Sequence, residues 1–127
     1  MASVGSDEFF AGFLAGVALL RLRLTGGRVV LNRAFWSALK APEGDFVDRD
    51  ALAIDYDPLY AVSPWFERAL TRAQRDLLIG FPNPSYQDVE IRLSPEQAQQ
   101  LLRATPDGEK LKALAKRFVE NISCAAS

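Results

Sequence analysis

Between Glu8 and Leu24 the apolar positions Phe9, Phe13, Val17, Leu20 and Leu24 recur at helical spacing, and Phe10 and Leu14 widen the face. Up to Leu20 it covers almost the whole circumference, so this helix has to be covered by the rest of the chain or by a second chain. Ala11, Gly12, Ala15 and Gly16 set two small pairs one turn apart, which lets a neighbouring helix approach closely. Internal packing is one use of that surface, and a homodimer seam through Phe9–Leu24 is the other. Ser6 or Asp7 can cap the helix, and Asp7 and Glu8 suit its dipole. The apolar run Phe9–Leu20 is twelve residues long, whereas a spanning helix needs about 20, and Arg21 and Arg23 close it early. Acids rather than bases precede it, which is the wrong sign for a leader peptide. No stable membrane insertion is expected.

Thr25-Gly26-Gly27 supplies the positive-φ positions of a chain reversal. A second helix over 29–40 then places Leu31, Ala34, Phe35, Ala38 and Leu39 inward and Asn32, Arg33, Ser37 and Lys40 outward. Ser63-Pro64, a capping hydroxyl followed by proline at the first helical position, opens a third helix with Trp65, Phe66, Ala69, Leu70 and Ala73 buried. Two endings are open: a stop near Arg75 followed by a strand over 76–81, or a run to Ile79 with Gly80 as the cap. Tyr86–Leu93 alternates, with Val89, Ile91 and Leu93 on one side and Asp88, Glu90 and Arg92 on the other, the pattern of a half-buried strand. A strand needs a partner, so a hairpin with Leu77–Phe81 through 82–85 is favoured, and Ala51–Tyr56 is a candidate third strand. Ser94-Pro95-Glu96-Gln97 reads as a capping box leading into Ala98, Leu101 and Leu102. Thr105-Pro106-Asp107 starts the last helix, whose inner face is Leu111, Leu114, Ala115, Phe118, Val119 and Ile122. Lys110, Lys112, Lys116 and Arg117 form its basic outer stripe.

The expected fold class is α+β: a single small domain over residues 1–127, helix-rich with about five helices and a small antiparallel β-hairpin. Residues 1–6 and 123–127 are expected to be flexible ends, and 41–62 an acidic connector. Charge is unevenly distributed over the 127 residues. Lys and Arg number 15 and Asp and Glu 16, for a net charge of −1, yet residues 43–57 alone hold six acids and one base. That balance gives no support to nucleic-acid binding through phosphate neutralisation. Histidine is absent and Cys124 is the one cysteine, which excludes serine or cysteine nucleophiles relayed through histidine, histidine-ligated zinc and an internal disulfide. The expectation is a soluble, intracellular, cytoplasmic protein with no cofactor. Its preference for Arg over Lys and its alanine content suggest a GC-rich, bacterial source.

Two Asp-x-Asp pairs, Asp48-Arg49-Asp50 and Asp55-Tyr56-Asp57, could each aim two carboxylates at one divalent ion. They lack the glycine and terminal glutamate of an EF-hand loop. The same stretch carries aromatics, and rings flanked by acids suit an interface with a basic protein. Asp45, Asp48, Asp50, Asp55, Tyr56, Asp57 and Tyr60 are therefore the expected partner-binding residues. The leading expectation is a non-catalytic protein-binding protein, of which an immunity-protein or antitoxin type of neutraliser is one form. The alternatives are a divalent-metal-dependent enzyme using Asp48, Asp50, Asp55 and Asp57, and a self-assembling protein joined through the 9–24 helix. Cys124-Ala125-Ala126-Ser127 also matches a prenylation signal, although alanines are weak at its aliphatic positions.

Overall fold

Apolar side chains on nearly every face put the first helix, α1 (Ser6–Ala18), at the centre of the molecule. The computed structural model describes residues 5–81 and 87–126. After α1 come a two-residue strand β1 (Arg23–Leu24), α2 (Gly27–Lys40), a 3₁₀ turn (Pro42–Gly44) and α3 (Pro64–Arg75). They are followed by β2 (Ile79–Gly80), β3 (Val89–Ile91), α4 (Pro95–Ala104) and α5 (Gly108–Ala126). The fold is the expected helix-rich α+β, with five helices and one small antiparallel sheet among the described residues.

Helices α4 and α5 pack along α1, α5 also packs on α2, and α3 closes one side. Gly12 and Gly16 explain how closely α5 approaches. A Cβ on Gly16 would lie 3.0 Å from the Ala115 Cβ, and one on Gly12 would lie 2.8 Å from Leu111 Cδ1. The small pairs of α1 are thus used inside the chain. Of the Phe9–Leu24 segment considered for a homodimer seam, Phe9, Phe10, Phe13, Leu14 and Val17 are buried by the chain's own elements, whereas Leu20 and Leu22 are exposed. Where α1, α2, α3 and α5 meet, the aromatic rings pack together. Phe35 stacks on Phe66 at 4.5 Å and lies parallel to Trp65 at 5.9 Å, while Phe13 meets Phe118 edge-on at 5.1 Å.

The hairpin is present, and the ending of α3 is resolved in its favour: α3 stops at Arg75, Leu77 turns the chain with φ +64°, and Ile79–Gly80 pairs with Ile91–Glu90. The connection over 82–86 lies outside the described residues. The third strand is not Ala51–Tyr56 but Arg23–Leu24, antiparallel to Glu90 and Val89, giving the order β1-β3-β2. That pairing also shortens the first helix, which was expected to reach Leu24. Ile91 N–H donates to Leu22 O at 2.7 Å, and Leu24 is buried as a strand residue. Gly26 and Gly27, with φ of +102° and +86°, then turn the chain into α2, whose Gly27 N–H donates to Asp88 Oδ1.

Ser63 caps α3 by accepting from Phe66 N–H, and the Ser94–Gln97 capping box is complete. The last helix starts three residues later than Thr105, because Asp107 makes the corner with φ +63° and the Thr105 hydroxyl donates to Leu101 O. At its other end α5 continues to Ala126, so Cys124 sits exposed within a helix rather than in a loose tail, and Ser127 lies outside the described residues. No helix among the described residues is long and apolar enough to cross a membrane.

One polar group of contacts is sunk between α2 and α3. Asn32, 1% exposed, accepts from Ser63 N–H at 2.7 Å and donates to Glu67 Oε2 at 3.0 Å and Arg28 O at 2.8 Å. Arg28 donates to Glu67 Oε1 at 2.8 Å and lies over the Phe81 ring at 4.5 Å. The outer end of the bundle is tied by Arg117, which donates to Glu43 Oε2 at 3.1 Å.

Replacing Gly16 by leucine should force α1 from α5 and lower unfolding stability by ~1–3 kcal/mol, read by urea denaturation. Hydrogen bonding to its own backbone N–H and then the Arg117 guanidinium hold the Glu43 carboxyl below the usual carboxylate range. A depressed folded value means that this contribution is complete above the ordinary carboxylate pKa and disappears as pH falls through the lowered one. Arg117→Ala should therefore raise the Glu43 titration midpoint measured by NMR.

Candidate functional site

The connector between α2 and α3 is held in shape by its own aspartates. Asp48 accepts Ala51 N–H at 3.0 Å, and a helical turn follows in which Ile54 N–H reaches Arg49 O and Ala53 adopts φ +58°. Ile54 is buried and pins the turn to the core. Asp55 accepts Trp65 N–H at 3.0 Å, so it caps α3 alongside Ser63. Asp57 accepts Leu59 N–H at 2.9 Å. Its backbone also exchanges a pair of hydrogen bonds with Val62, N–H of Asp57 to Val62 O at 2.7 Å and the reverse at 3.2 Å.

This closed loop turns back through Ala61, which is buried with φ +53°. Its tip carries Leu59 and Tyr60, 79% and 70% exposed, the first and third most exposed of the large apolar side chains among the described residues. A tip that stays apolar in water while its base is cross-linked by hydrogen bonds has paid its ordering cost before any partner arrives. Tyr56, just behind the tip, stacks in parallel on Trp36 of α2 at 5.2 Å and 5°. The Arg49 guanidinium lies 5.2 Å and the Lys40 ammonium 6.0 Å from the Trp36 ring centre.

The seven expected partner-binding residues thus divide by role. Asp48, Asp55 and Asp57 brace the backbone, and Tyr56 locks the loop to α2. Asp45 and Asp50 are exposed and make no side-chain hydrogen bond among the described residues. Tyr60 projects. The two Asp-x-Asp pairs do not converge, and among the described residues no group of three or more carboxylate or thiol side chains could hold a metal ion. Trp65 and Phe66, on the inner face of α3, are core. Sequence reasoning missed Trp36 and Leu59. The signal for Trp36 was an aromatic residue set among Arg33, Ser37 and Lys40 on the polar side of α2.

Because Asp55 caps a helix and Asp50 caps nothing, Asp55→Ala should cost about 1 kcal/mol of stability. Asp50→Ala should stay within about 0.5 kcal/mol of the parent, and paired urea melts measure both. Comparisons with protein-family models, with curated proteins and with solved structures find no match to this chain.

Proposed function

We infer that the chain is a non-catalytic binding protein that engages a basic protein partner through the connector, with Leu59 and Tyr60 as anchors and Asp45 and Asp50 as steering charges. The observation that carries this reading is the braced loop 57–62, which holds two large apolar side chains in solvent. Exposed tyrosine and leucine on a preorganised backbone are the kind of group that fills a pocket on a partner, and aromatic anchors contribute most of the energy at such interfaces. Carboxylates around the anchors raise the rate of encounter with a cationic surface more than they tighten the complex. A small neutraliser of a basic protein, of immunity-protein or antitoxin type, is the form of this function that charge complementarity favours. Such a protein would act within the compartment of its partner, and a cytoplasmic location belongs to this reading.

The test is retention of proteins from source-cell lysate by the wild type, by Leu59→Ser with Tyr60→Ala, and by Asp45→Lys with Asp50→Lys. Lys116→Ala, at an exposed position of α5, serves as the control. A basic protein held by the wild type and the control should be lost by the tip variant, whose affinity should fall by about thirtyfold or more, corresponding to about 2 kcal/mol. The charge-reversed variant should bind more slowly and with a weaker dependence on salt. Equal retention by all four proteins, or no retention by the wild type, overturns the reading.

A further inference from the structure

On the side of α2 that faces the connector, Arg33, Trp36, Ser37 and Lys40 stand at i, i+3, i+4 and i+7 and form one stripe. Together with Tyr56 and Pro58 they line an open hollow of about 470 Å³, within the ~300–1,000 Å³ typical of small-ligand sites. The wall is rigid, because Tyr56 and Trp36 are stacked on each other and Arg49 lies against the Trp36 ring.

Charge is the informative part. Neither Arg33 nor Lys40 joins an ion pair among the described residues, although they border the most acidic stretch of the chain. Four of the neighbouring acids are engaged elsewhere, Glu43 by Arg117 and Asp48, Asp55 and Asp57 by backbone N–H groups, and the other two, Asp45 and Asp50, pair with neither cation. The Ser37 hydroxyl likewise makes no hydrogen bond among the described residues. Two cations and a hydroxyl on one helix face, beside an aromatic wall, match an anionic group attached to a flat ring. Arg33 and Lys40 lie about 10 Å apart along the helix axis, and both have side chains long enough to fold toward an anion over Ser37.

We propose that this hollow binds a small aromatic anion, its phosphate or carboxylate held by Arg33, Lys40 and the Ser37 hydroxyl and its ring packed on the Tyr56–Pro58 wall. A nucleic acid is a poor fit, because the surplus negative charge of the connector would repel a polyanion while tolerating one or two charges. The proposal stands on α2 and is independent of whether Leu59 and Tyr60 dock a protein.

Trp36 provides the readout, since the other tryptophan, Trp65, is buried in the core. Tryptophan fluorescence and calorimetry of the full chain would be followed during titration with adenosine monophosphate and with benzoate. Adenosine and inorganic phosphate serve as half-ligands. Saturable binding of at least one aromatic anion with Kd of about 1 mM or below is expected. Each half-ligand should bind at least tenfold more weakly, and Arg33→Ala with Lys40→Ala should cost at least tenfold while leaving the melting temperature unchanged. Trp36→Phe should abolish the fluorescence change and keep the calorimetric one. Binding of the nucleotide alone identifies a phosphate ligand, and binding of benzoate alone a carboxylate. No saturation by either at millimolar concentration, or equal affinity in the double variant, overturns the proposal.

Discussion

A helix without a polar side cannot lie on a surface, and the layout of this protein follows from covering α1. Eight of its thirteen residues are buried, α3, α4 and α5 pack against it, and the gap left by Gly12 and Gly16 sets the distance at which α5 runs past. That approach in turn brings Phe118 against Phe13 and Phe35, which carries the aromatic cluster across to α2 and α3. The sheet is an accessory to this arrangement. Three short strands cover what the helices leave open, with Val89, Ile91 and Leu24 turned inward.

Because α2 and α3 are fastened by Asn32, Ser63, Glu67 and Arg28, both ends of the connector are fixed in space. Buried polar contacts of this kind fix orientation, since leaving any member unpaired costs more than the bond itself contributes. The intervening stretch can therefore be irregular without being loose. Its turns are completed by carboxylates accepting backbone N–H groups, which would otherwise require regular secondary structure or water. The acidity of the connector thus has a structural component as well as an electrostatic one, with only Asp45 and Asp50 left to act as surface charge alone.

Signals contained in a few adjacent residues were legible in the chain. Ser63-Pro64 and Ser94-Pro95-Glu96-Gln97 mark helix starts because a hydroxyl and a proline solve a local hydrogen-bonding problem wherever they occur. The alternation through Val89 and Ile91 was equally plain. What escaped is nonlocal. Leu24 satisfies a helical period as well as a strand, and it is a strand only because the far edge of β3, some 65 residues on, has a vacancy for one. At the candidate site the acids and Tyr60 were visible as composition, but nothing in Asp48 or Asp55 announces which N–H it will meet. Trp36 was missed because its partner, Tyr56, lies in an irregular segment that no periodicity describes.

The separation of α1 from α5 along the chain has a consequence for biosynthesis. Phe9, Phe13 and Val17 are synthesised before Leu111, Leu114 and Phe118, which cover one side of that helix. A nascent chain carries that apolar side uncovered until α5 has been made. Growth at about 5–20 residues per second leaves that interval several seconds long. Over that interval the side of Phe9–Leu20 that α5 covers is open to solvent, and a chain ending before α5 would leave it bare.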